Sequence, residues 1–198
     1  MPDENTPPDN GFVYHQSLKN WKGRTTRDLL IHTGIVIPNR IQIDYGKGIG
    51  KKTMLVMETN GDQYIYSGYC TDYASGPTVD TPDTIRAACG HDGGYQPIRK
   101  GLLPKDPYKE LFDRLLERLL IEDGMKLADH EDELAKELRK KGGFMNGIDA
   151  IKHNAKATWI RNTIKVRAAA WYQAVKYGGG KACEPGWDPT FDEQRSPY

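Results

Sequence analysis

The chain has 198 residues, 28 Lys and Arg against 27 Asp and Glu, and three cysteines. A net charge of +1 gives no global electrostatic case for nucleic acid or a charged membrane surface, and three cysteines are too few for a disulfide framework, which points to a reducing compartment. No apolar run approaches the roughly 18 residues a membrane-spanning helix needs, and the length favours one domain.

Residues 1–11 are rich in Pro, Asp and Asn and are expected to form a mobile tail. The opening Met1-Pro2-Asp3-Glu4-Asn5 is acidic and polar, unlike a signal peptide. Residues 12–68 read as a β subdomain. Ile31 to Ile37 is β-branched and stops at Pro38, and Arg40 to Asp44 alternates apolar with polar. Gly46 to Thr53 tempts as a phosphate loop, but the spacing is one residue short, so a basic turn between strands is the expectation. Met54–Glu58, Asn60-Gly61 and Gln63–Tyr66 make the clearest hairpin, because Asn-Gly supplies the positive φ of a tight turn.

Residues 69–180 read as a loop and helical subdomain. The loop Tyr66 to Pro77 is polar and carries glycine. Thr81 as N-cap and Pro82 at the first helical position then open a helix that holds His91, Asp92 and Tyr95. His91 and Tyr95 are four apart and share a face, whereas Asp92 points about 100° away. Gly90, Gly93 and Gly94 each cost about 1 kcal/mol against Ala inside a helix, which implies room for a loop, a ligand or a close helix. A second helix is expected from Asp106 and Pro107, with Leu111, Phe112, Leu115, Leu116, Leu119 and Leu120 as its core stripe. If the two helices pack antiparallel through Leu102–Lys105, Asp113 faces His91. A carboxylate on one imidazole nitrogen fixes the tautomer and leaves the other nitrogen to take a proton from water. The competing reading is a buried polar cluster in which His91, Asp92 and Tyr95 hold the helix to the loop.

Gly124 is expected to break the second helix, leaving 125–143 as a charged helical appendage whose apolar positions are Leu127, Leu134 and Leu138. A long helix is expected over Asn146–Tyr177, with one stripe that includes Ile148, Ile151, Ala155, Trp159, Ile160, Ile164, Ala168 and Tyr172. Its Lys and Arg flanks, among them Lys152, Lys156 and Arg161, read as solvated faces, with contact to phosphates of lipid or nucleic acid as the alternative, and His130 and His153 read as lone surface histidines. Residues 181–198, with three prolines, Trp187 and Phe191, form a C-terminal tail. Cys70 and Cys89 could still form one bridge between loop and helix. The fold class expected is α+β: an N-terminal antiparallel β-hairpin sheet followed by a helical bundle.

Tyr66-x-Gly68-Tyr69-Cys70, Ser75-Gly76-Pro77-Thr78-Val79-Asp80 and Cys89-x-His91-Asp92-x-x-Tyr95 resemble the calcium loop and active-site helix of the phospholipase A2 family, and the 22-residue separation of His91 and Asp113 resembles its parvovirus capsid form. The resemblance implies a phospholipase A2-like helical bundle in which His91 is the base, Asp113 its orienter and Tyr95 part of the site. It further implies calcium held by Asp92 and by carbonyls near Tyr69, Thr71 and Tyr73, and a phospholipid or other ester substrate. The stretch from about Val56 to Gly180, above all Thr71-Asp72-Tyr73-Ala74-Ser75, is also similar to a phage and prophage family of unknown function. That similarity implies a location in a virion or in the host cytoplasm. The second functional class is a non-enzymatic virion or assembly protein that contacts other virion proteins or copies of itself.

Overall fold

The structure is a computed structural model that describes residues 12–14, 23–25, 27–45, 52–71 and 82–185. The expected N-terminal tail, most of the expected C-terminal tail, the Thr81 cap and Tyr73 lie outside the described residues. The chain is α+β, with antiparallel strands at the N-terminal side followed by three helices.

Strands β1 (Phe12–Tyr14), β2 (Gly23–Thr25) and β7 (Cys70–Thr71) form one small sheet in the order β1-β2-β7. Strands β3 (Leu29–His32), β4 (Ile41–Tyr45), β5 (Lys52–Met57) and β6 (Asp62–Ile65) form a second sheet in the order β3-β6-β5-β4. The β5–β6 hairpin pairs Leu55 with Ile65 and Met57 with Gln63. At its turn Gly61 takes φ +90°, and a Cβ there would lie 2.8 Å from the Ile35 amide nitrogen, so only glycine fits. Strand β3 ends at His32, earlier than the β-branched run suggests. Beyond it Thr33, Ile35 and Ile37 still bury alternately while Thr33 bonds the Gly61 carbonyl.

Helix α1 (Pro82–Arg99) lies between the second sheet and helix α2 (Lys105–Lys141). Ile31, Leu55 and Ile65 from the sheet, Ile85 and Ile98 from α1, and Phe112, Leu116 and Leu120 from α2 share one core. The α1 glycines permit close packing rather than a ligand. A Cβ on Gly94 would overlap the Phe112 ring, and one on Gly93 would lie 2.5 Å from the Gln63 amide nitrogen. Asp106 has extended backbone (φ −98°, ψ 130°), so the regular part of α2 opens at Pro107 as its sequence indicates. Leu111 of the expected core stripe is 39% exposed.

Gly124 does not end α2. The helix runs through it to Lys141, because the position is needed for interhelical approach: a Cβ there would lie 2.5 Å from Ile164 Cδ1 of helix α3 (Phe144–Gly178). Helices α2 and α3 form a long antiparallel hairpin. Its distal half has its own small core of Ala128, Ala157 and Ile160 with Leu127 packed against it. The residues that seal this seam are alanines, which apolar patterning built on leucine overlooks. Helix α3 also departs from the single expected stripe: Ile160, Ile164, Ala168 and Tyr172 are buried, while Ile151 and Trp159 lie on the opposite, exposed side. Cys89 is a buried free thiol, so it forms no bridge to Cys70. No helix among the described residues is long and apolar enough to cross a membrane.

Candidate functional site

Three helices converge on one buried carboxylate. Asp113, 1% exposed, is held by α2 on the side that faces α1. One of its oxygens, Oδ1, accepts from the Tyr95 hydroxyl at 2.5 Å and lies 3.1 Å from His91 Nε2. The other, Oδ2, accepts from Lys109 Nζ at 2.7 Å. The helical spacing accounts for each pairing: His91 and Tyr95 stand one turn apart on α1, and Lys109 precedes Asp113 by one turn on α2. The His91 and Tyr95 rings are themselves in contact, with centroids 4.1 Å apart.

Lys109 was not among the residues singled out from sequence. Its ammonium also donates to the carbonyls of Val175 and Lys176 at 3.2 and 3.3 Å, which ties the C-terminal end of α3 into the cluster. The i, i+4 spacing to Asp113 was the available signal. Burial of Asp113 favours its neutral acid, but hydrogen bonds from His91, Lys109 and Tyr95 outweigh that and hold its pKa below the ordinary 3.8. It is therefore a carboxylate, His91 Nε2 is the donor, and in neutral His91 the lone pair is on Nδ1.

Burial lowers the proton affinity of His91, but its contacts with Asp113 and Asp92 more than reverse this, and its pKa lies above the ordinary 6.5. Burial and the Asp113 carboxylate push the Tyr95 pKa up, so its hydroxyl stays a donor. Cys183, in a 3-10 turn after α3, is buried beside Tyr95, and its thiol is pushed up to about 11, chiefly by burial. It also lines a recess of about 430 Å³ with Ile98, Leu102, Leu103, Pro104 and Pro185.

The expected metal set is less complete. Asp92 Oδ1 lies 3.5 Å from His91 Nδ1, too long for a strong hydrogen bond. The Tyr69 carbonyl accepts from the Thr25 amide at 2.9 Å, and the Tyr69 side chain is buried. Thr71 lies in β7, paired with Gly23, and Tyr73 is outside the described residues. One carboxylate and two backbone carbonyls are a fraction of the about six to eight hard oxygens calcium takes. Among the described residues, no group of three or more His, Cys, Asp and Glu could hold a metal ion.

His153 is not the lone surface histidine expected. Its Nδ1 lies 2.6 Å from Glu131 Oε2, and Lys156 Nζ lies 2.7 Å from Glu131 Oε1. Arg161 likewise pairs with Asp129 and Asp132, so two of the basic residues flanking α3 are ion-paired to α2 acids, while Lys152 and Lys156 remain exposed as the solvated-face reading expects. No family model, curated protein or solved structure matches this chain.

Proposed function

We propose that His91 and Asp113 form a general-base dyad that hydrolyses an ester by direct attack of water, in the manner of the phospholipase A2 family that the sequence resembles. The observation that carries this reading is the His91 Nε2–Asp113 Oδ1 contact of 3.1 Å, with Asp113 buried and charged, because it directs the imidazole lone pair to Nδ1. Nδ1 takes a proton from water as the water oxygen bonds to the ester carbonyl carbon. As the carbonyl–oxygen bond to the leaving alcohol breaks, that proton passes from Nδ1 to the departing oxygen. Asp113 keeps the tautomer throughout, and the Tyr95 and Lys109 donors keep Asp113 ionised. Calcium bound near Asp92 would supply a Lewis acid that polarises the carbonyl.

The test is hydrolysis of phospholipid vesicles and of soluble esters by the wild type, His91→Gln and Asp113→Asn. The reading expects a loss of about a hundredfold or more in both variants, with His91→Gln still folded. Equal turnover by wild type and His91→Gln would remove it.

The Lys109 contacts favour a second reading, in which the same cluster is a static clamp of a non-enzymatic virion or assembly protein. A lysine that bridges Asp113 to two α3 carbonyls is a device for joining helices, and it needs no substrate. On that reading His91→Gln lowers the melting temperature and there is no hydrolysis to lose.

A further inference from the structure

Helix α3 presents two apolar faces on opposite sides. Ala157, Ile160, Ile164 and Ala168 pack on α2 and the core, whereas Ile151, Trp159 and Val166 are 66%, 58% and 71% exposed. A helix apolar on both sides is usually covered on both sides. The outer face has a regular spacing: Ala155, Trp159, Asn162, Val166, Ala169 and Gln173 alternate steps of four and three. That is a repeat of 3.5 residues, which keeps a seam facing one partner helix along its length.

Charge narrows the partner. Of the basic side chains beside this seam, Lys152 pairs with Asp149, Lys156 with Glu131, Arg161 with Asp129 and Asp132, and Lys176 lies over the Tyr172 ring at 5.4 Å, while Lys165 is exposed. A phosphate-bearing surface would have to compete with these pairs, whereas an apolar helix would not.

The seam is also complementary to itself. With Asn162 placed opposite its own copy in an antiparallel pair, Ala155 meets Ala169 and Trp159 meets Lys165 and Val166. An amide at the centre of such a seam fixes register and orientation, and Lys165 can stack on the partner's Trp159. We propose that the exposed face of α3 is a homodimer interface, in which α3 pairs antiparallel with α3 of a second copy about a two-fold axis at Asn162. Such a contact is isologous, the common form for symmetric dimers.

The test uses the full chain in sedimentation equilibrium and oxidative cross-linking. The wild type should be a dimer at micromolar concentration. Val166→Asp places an unpaired charge in the seam and should weaken the dimer about a hundredfold or more while circular dichroism stays unchanged. Asn162→Cys should form a disulfide-linked dimer. Lys152→Cys should not, since its copies would stand about 30 Å apart along the helices at 1.5 Å per residue. The cross-link is informative even if Val166→Asp fails to fold. A monomeric wild type, a dimer that survives Val166→Asp, or a cross-link at 152 and not at 162 would overturn the proposal. So would a monomer whose Trp159 and Val166 serve instead to bind anionic vesicles.

Discussion

Lys109 and Asp113, one turn apart on α2, form an ion pair of 2.7 Å in which the lysine side chain is only 12% exposed and the aspartate 1%. The same ammonium reaches two carbonyls at the end of α3, so one lysine neutralises the central carboxylate and closes the bundle. Replacing Lys109 with Met should therefore cost about 3 kcal/mol, because the partner is left as a buried, less compensated charge. Urea denaturation measures this, and a cost below about 1 kcal/mol would show that His91 and Tyr95 suffice for Asp113.

The pH dependence of stability follows from the two shifted groups. His91 is raised above 6.5 in the folded chain, so its stabilisation is complete below 6.5 and fades as pH rises through the folded value. Asp113 is lowered, so its stabilisation is present above 3.8 and disappears as pH falls through the folded value. The pair together should contribute most between 3.8 and 6.5. Unfolding free energies across pH should decline on the alkaline side for the wild type, and that decline should be absent in His91→Gln. Hydrolysis, which needs neutral His91, should rise over the same range in which this stabilisation fades.

Calcium is tested separately. Any ion that binds only the folded chain raises the melting temperature through mass action. Millimolar calcium should raise that of the wild type, and Asp92→Asn should abolish the shift. A wild type indifferent to calcium would leave the dyad without a metal partner.

Gly94→Ala should destabilise by about 1–3 kcal/mol, although helix propensity alone favours Ala by about 1 kcal/mol, because the new Cβ overlaps the Phe112 ring. Pairing it with Phe112→Leu should recover part of the loss relative to Phe112→Leu alone. A neutral Gly94→Ala would mean that α1 and α2 can move apart without cost.

The distal half of the α2–α3 hairpin should open on its own. Its apolar core is small and separate from the main one, and Glu131, 4% exposed, is its central acceptor from His153 and Lys156. Glu131→Ala should speed amide hydrogen exchange across 125–160 and move the global melting temperature little. Uniformly faster exchange, through α1 as well, would show that the arm and the body open together.

The elements themselves were largely legible in the chain. Asn60-Gly61 between alternating segments announced the β5–β6 hairpin, Pro82 and Pro107 marked helix starts, and 3.6-residue spacing put His91 and Tyr95 on one face. These are local rules, enforced by backbone sterics and by the few residues of a turn. The approach of Asp113 to His91 was legible only on the assumption of antiparallel packing, which no local rule provides. What tertiary structure alone decided was which faces touch. Gly124 looks like a helix terminator by propensity, yet it is a contact point for Ile164. Its cost of about 1 kcal/mol is small beside the packing it permits. Lys109, Glu131 and His153 look like surface residues because long charged side chains usually are. They became interior partners only when α3 returned along α2 and brought its carbonyls and its basic face to acids far away in sequence. The sequence sets the periodicity of each helix. Which of its two apolar sides α3 buried was settled by the close approach at Gly124 and by the ion pairs that only one side could make.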